Sequence, residues 1–219
     1  MKAILSSVCL LTLASLVRGQ EQARPPTPSR SPSQQITSGG IENGRYSNSF
    51  FNFSIVIPAD WESMSNEEYS ERLRNIEKLA AKQNYQVKQE LAAGPTAIPT
   101  ILRLSPKNYR DGKARAFAIL AQDLSGHPAI SPEEYLNQSK EAYSHFQGMN
   151  GGFGPIYHIQ CKGGDLTASD LTTHEKSSDG YTTFAVISRR GYLLSFVLGA
   201  RGSEAHKQVK EILNTLTFD

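Results

Sequence analysis

Cysteine is nearly missing from this chain, with two among 219 residues, at positions 9 and 161. Cys9 lies in an apolar N-terminal run read below as a removable signal, which leaves Cys161 as the one thiol of the mature protein. An intramolecular disulfide is thereby excluded, as is any Cys-x-x-Cys redox or zinc motif. A lone cysteine beside strand-like sequence behaves as a small buried hydrophobe. Stability must therefore come from a packed core. An excess of one charge is lacking too: without residues 1–19, which hold Lys2 and Arg18, the 23 basic residues fall to 21 and match the 21 acidic ones. A neutral chain has no electrostatic claim on nucleic acid or an anionic membrane surface.

Metal and nucleophile signatures are absent as well. The five histidines, His127, His145, His158, His174 and His206, make no His-Glu-x-x-His and no ligand spacing with a carboxylate. His158 and Cys161 stand three apart on one expected strand and so point to opposite faces. There is no Gly-x-Ser-x-Gly elbow. Asp123, Ser125 and His127 read as a polar turn. Residues 148–154 are glycine-rich but precede a strand, with no Lys-Ser or Lys-Thr after Gly154, which argues against a phosphate loop. No catalytic residue, cofactor or metal ligand is expected. The same segment instead presents Met149 and Phe153 among glycines, and these two are the candidate partner-binding loop.

Apolar runs long enough to cross a bilayer are missing after the first segment. That segment has Lys2, then a charge-free apolar stretch over residues 3–17, then Arg18 and Gly19, the layout of a secretory signal peptide over residues 1–19. Residues 20–42 follow as a tether rich in Pro and Ser, too poor in apolar residues to offset its ordering entropy. A single domain is expected over residues 43–219, with 38% hydrophobic residues in the whole chain to furnish its core.

Within it, Phe51, Phe53, Ile55 and Ile57 alternate with Asn52, Ser54 and Val56, a strand that Pro58 ends. Ser65 and Glu68 form a capping box for a helix over residues 65–83. Strands are expected over residues 100–104 and 114–122, with a turn at 108–112. A second helix starts at Ser131 and Pro132, with Glu134 completing its capping box, and stops at Gly148. Four strands follow, over residues 156–161, 166–174, 181–189 and 192–199. Asp179-Gly180 and Arg190-Gly191 are the tight turns among them. The strand over residues 192–199 is apolar on both faces, which predicts a central strand covered on both sides. A helix over residues 203–216 ends the chain. Tight hairpins demand antiparallel pairing, and one-faced helices against a doubly covered strand predict an α+β domain.

Tyr46-Ser47-Asn48-Ser49-Phe50-Phe51-Asn52-Phe53-Ser54-Ile55-Val56-Ile57-Pro58-Ala59-Asp60-Trp61 resembles the opening of PsbP-like domains, in which an aromatic strand leads to a Pro and then a Trp that packs back on the sheet. Gly191-Tyr192-Leu193-Leu194-Ser195-Phe196 and the closing Glu211-Ile212-Leu213-Asn214-Thr215-Leu216-Thr217-Phe218 are similar to the family's ending. The resemblance covers residues 46–218. It implies an α/β/α sandwich, a mainly antiparallel sheet with helices on both faces, in a bacterial exported member. The family includes a lumenal subunit of the photosynthetic oxygen-evolving complex and a Ran-binding nuclear transport factor, and its common thread is docking on a larger partner. The connection after Trp61 is longer here than is usual in the family.

Fold does not carry function with it, so three expectations stand. The first is a non-enzymatic, monomeric interaction module, secreted or periplasmic, docking on a protein or envelope partner. The second is a binder of a small apolar or amphipathic ligand between sheet and helix. The third is an enzyme whose site is assembled from residues distant in sequence.

Overall fold

A computed structural model describes residues 36, 39–65, 68, 71, 100–107, 115–125, 130–144, 150–174 and 179–219. The expected signal over residues 1–19, most of the tether, most of the helix over residues 65–83, the turn at 108–112 and Met149 lie outside the described residues. The described residues form two antiparallel sheets. The smaller has the order β1 (Gly39–Glu42), β2 (Arg45–Asn48), β3 (Phe53–Val56) and β11 (Thr217–Phe218). The larger has the order β4 (Trp61–Ser63), β5 (Thr100–Pro106), β6 (Arg115–Asp123), β10 (Tyr192–Arg201), β9 (Gly180–Arg189), β8 (Gly164–Thr173) and β7 (Gly151–Cys161). Among the described residues, two further elements are the helices α1 (Pro132–Ser144) and α2 (Ser203–Lys210), with a 3₁₀ turn at Leu213–Thr215.

Of the two expected tight turns, Arg190-Gly191 acts as read, whereas Gly180 already belongs to β9 and pairs with Thr173, so Asp179-Gly180 is not a two-residue turn. Arg190 and Gly191, both with positive φ, join β9 to β10 with Arg189 opposite Tyr192. Strand β10 lies between β6 and β9, and its residues from Leu193 to Ala200 are all buried. Leu194, Phe196, Leu198 and Ala200 face one core, which Phe53, Trp61, Phe117 and Ile119 share. Leu193 and Val197 face the other, with Tyr135, Leu136 and Phe184. Both capping boxes are formed. Ser65 N–H donates to Glu68 (2.7 Å) and Glu68 N–H to Ser65 Oγ (3.1 Å). Ser131 and Glu134 do the same at 2.8 and 3.1 Å, and the backbone bond from Ser131 holds the Glu134 carboxyl below its usual range.

The layers differ from the expected α/β/α sandwich. Helix α1 lies on one face of the large sheet, but the other carries the small sheet, with the short α2 beside it. A hairpin explains the change. Asn43 and Gly44, at φ 50° and 73°, turn β1 back on β2, so Glu42 faces Arg45. The domain boundary expected at residue 43 falls inside this hairpin. Ile36 is buried in the core, and its carbonyl accepts from Asn48 Nδ2 at 3.0 Å. Part of the segment read as tether is thus structured. The last helix is also shorter than expected, ending at Lys210 before the 3₁₀ turn and β11.

The C-terminal residues tie the two sheets together. Strand β11 pairs with β3, while Phe218 N–H donates to the Lys162 carbonyl (2.7 Å), just past the end of β7. Arg189 donates to the Asp219 carbonyl (2.5 Å), and its guanidinium lies 4.9 Å over the Phe218 ring.

Candidate functional site

The densest polar grouping on the described residues sits where β7, β8 and β9 meet α2. Leu166 and Ala168 of β8 point into the core, and the period of two puts Asp170 on the same face. Thr183 of β9 is its register partner, and Tyr157 of β7 stands opposite Ala168. His206 and Lys210 of α2 are four residues apart, hence on one face of the helix. Asp170 Oδ1 accepts from the Tyr157 hydroxyl (2.8 Å) and the Thr183 hydroxyl (2.5 Å). Its Oδ2 accepts from Lys210 Nζ (3.0 Å), which also donates to the Tyr157 oxygen (2.6 Å). Thr183 spends its one proton on Asp170, so the 2.8 Å bond to His206 is donated by the imidazole Nε2–H. The Tyr181 ring stacks on that imidazole, centroids 5.3 Å apart and 18° from parallel.

The charges are set by these contacts. Burial opposes ionisation of Asp170, but the bonds from Thr183, Lys210 and Tyr157 outweigh it and hold the carboxyl below its usual range. Burial likewise opposes charge on Lys210, and Tyr157 and Asp170 outweigh it, so the ammonium persists above the usual lysine range. Burial pushes the Tyr157 phenol up. Burial pushes His206 down, with Asp170 opposing and Lys210 adding to the effect. At neutral pH the site therefore holds Asp170⁻ bonded to Lys210⁺, with a neutral His206 linked to them through Thr183. This arrangement clamps α2 to the outer half of the large sheet.

A second feature is an open cleft of about 420 Å³ between the two sheets, lined by Ile41, Tyr46, Met64 and Leu102 with Thr100 and Arg103. Arg103 is largely buried and donates to Thr100 Oγ1 at 2.8 Å. Burial raises the Tyr46 phenol, with Asn48 opposing.

Phe153 does not stand in a loop. It lies in β7, half-buried, with its ring 5.5 Å from Tyr143 of α1 and 5.5 Å from Phe184 of β9. The strand expected to begin at residue 156 begins at Gly151, across a register shift between Phe153 and Ile156. Cys161 is half-buried, its thiol 3.8 Å from the Leu213 carbonyl, and burial followed by the Asp165 charge pushes its pKa up. Iodoacetamide should alkylate Cys161 at neutral pH at least about tenfold more slowly in the native chain than in urea. Equal rates would show an accessible thiolate. Ser125 N–H donates to Asp123 at 2.7 Å as a polar turn, and His127 lies outside the described residues. His174 pairs with Asp179 at 3.0 Å, and His158 is exposed. Among the described residues no group of His, Cys, Asp or Glu could hold a metal ion, and no helix is long and apolar enough to cross a membrane.

Together these features define an α+β protein of two antiparallel sheets with a clamped C-terminal helix. The structure is similar to the solution structure of PsbP from the cyanobacterium Synechocystis sp. PCC 6803, with 11% identity over 83% of this chain and 96% of that one and a TM-score of 0.46. It is also similar to the crystal structure of LpqN, involved in cell envelope biogenesis of Mycobacterium tuberculosis, with 11% identity over 75% of this chain and 82% of that one and a TM-score of 0.40. At such identities the likeness concerns the course of the backbone and transfers no partner or activity. No family model and no curated protein matches the sequence.

Proposed function

We propose that the protein is an exported, non-enzymatic interaction module that docks on a protein partner outside the cytoplasm, through the outer strand β7. The carrying observation is the position of β7. Its eleven residues end the strand order of the large sheet, and among the described residues their ladder runs to β8 alone. The glycine-flanked segment with Phe153, marked by the sequence for docking, is the first part of this strand. An extended segment of the partner adds to such an edge by main-chain hydrogen bonds. Counting back from Cys161 and Gly164, the pair that closes the Lys162-Gly163 turn, His158 holds a non-hydrogen-bonded position towards β8. Its N–H therefore points to the outer side. Photo-cross-linking from Gln160, on the same strand, is expected to capture a partner from the native envelope or culture medium. His158→Pro, with an unchanged denaturation midpoint, is expected to abolish the capture. Capture that survives this variant, or that arises equally from Glu133 on α1, would overturn the reading.

The cleft beside Tyr46 supports a second reading, a binder of a small apolar or amphipathic ligand, since its volume falls within the range of small-molecule sites. Mass spectrometry of the purified protein is the test. A stoichiometric small molecule displaced by Leu102→Trp would favour this reading over docking.

A further inference from the structure

We propose that Asp170, Lys210 and His206 form a proton-operated latch on α2, closed at neutral pH and loosened in mild acid. The geometry supplies one carboxylate for two potential cations. Lys210 already neutralises Asp170 at 3.0 Å, while His206 Nε2 stands 4.0 Å from the same carboxylate and reaches it only through Thr183. The imidazole is 9% exposed, against 30% for the Lys210 side chain. A second positive charge on this helix face would thus be the more buried of the two, with its counter-charge already engaged.

The groups stacked on or bonded to His206 carry no counter-charge. Strand β9 presents the neutral Tyr181 ring and the Thr183 hydroxyl, and β7 presents the Tyr157 phenol through Lys210. Beyond Tyr181, Asp179 is engaged with His174 and with the Tyr181 hydroxyl. Strand β10 contributes apolar Leu198 and Ala200 to the core shared with α2.

The direction of the pH effect follows. In an opened or unfolded chain His206 takes a proton near its ordinary value of 6.5, and in the closed latch it does so only at lower pH. The opened state therefore binds more protons. The latch is fully effective above about pH 6.5 and weakens as pH falls below it. Because Asp170 holds its own proton off to below the usual carboxylate range, His206 is the first of the three groups to respond.

The test is amide hydrogen exchange on the full chain at pH 7.5 and 5.5, corrected for intrinsic exchange rates. Residues 204–210 are expected to lose protection several-fold relative to α1, in the direction set by proton linkage at His206. His206→Gln, whose amide still donates to Thr183, is expected to abolish the difference while leaving His174 in place. Protection of α2 that is equal at both pH values, that falls together with α1, or that falls equally in His206→Gln would overturn the latch. If that variant does not fold, the ring titration of His206 by NMR in the wild-type chain decides the matter. A midpoint clearly below 6.5, with α2 amide shifts following it, supports the latch, and a midpoint at or above 6.5 overturns it.

Discussion

Replacing Trp61 by alanine is expected to cost about 3–5 kcal/mol, the range for deleting a large buried aromatic side chain. Trp61 is 6% exposed and belongs to the core between the sheets, with Tyr46 and Ile57 from one side and Leu102 and Leu104 from the other. Its backbone is fixed as well. Trp61 N–H donates to the Pro58 carbonyl (2.9 Å), and flanking bonds from Lys107 to the Asp60 and Ala59 carbonyls hold the corner against β5. With the corner fixed, the neighbours cannot close over the lost ring, so the cavity contribution should persist. The chain has one tryptophan, so the denaturation curve must be followed by far-ultraviolet circular dichroism. A loss below about 1 kcal/mol would mean that the ring contributes little to joining the sheets.

The second large effect is expected at Gly163, and a matched glycine isolates its cause. Gly163 and Gly191 have nearly the same backbone, φ 83° and 80°, each in a tight turn. A methyl at Gly191 meets open space, whereas a methyl at Gly163 runs into the backbone carbonyl of Phe218. Gly191→Ala should therefore cost only the left-handed strain, about 1 kcal/mol. Gly163→Ala should add the displacement of β11 and reach at least about 2 kcal/mol. Equal losses in urea denaturation would show that β11 yields without cost.

Where the sequence carried strong periodic or capping signals, the structure follows them. The alternation at Phe53 and Ile55, the doubly apolar β10, the turn at Arg190-Gly191 and both Ser/Glu boxes are local features, complete within a few residues. Strands β4 and β11 have three and two residues, too short to show a period. The hairpin at Asn43-Gly44 was hidden by its polar flank, Arg45-Tyr46-Ser47-Asn48, because only Tyr46 and Asn48 turn inward. In β7, the glycines at 151, 152 and 154 masked a strand. Pro155 was the available signal, since proline within a sheet is confined to outer strands and bulges.

The latch could not be assembled from sequence, because Tyr157, Asp170, Thr183 and His206 meet only through strand register. Two parts of it were nevertheless visible. Asp170 continues the buried phase of Leu166 and Ala168, where a carboxylate needs a partner, and His206 and Lys210 share one helix face.

The bond between Ser54 and Thr217 at 2.8 Å joins positions 163 residues apart. During synthesis, β3 emerges long before the strand that completes its far edge. The small sheet is thus the last part of the molecule to lock, and Phe53 waits for Phe218, whose ring centroid ends 6.2 Å from its own. Such non-local closure slows folding, because loop entropy is lost before the contacts that compensate it are made. A polypeptide with this topology holds one edge of β3 unpaired until residues 217–218 have been made.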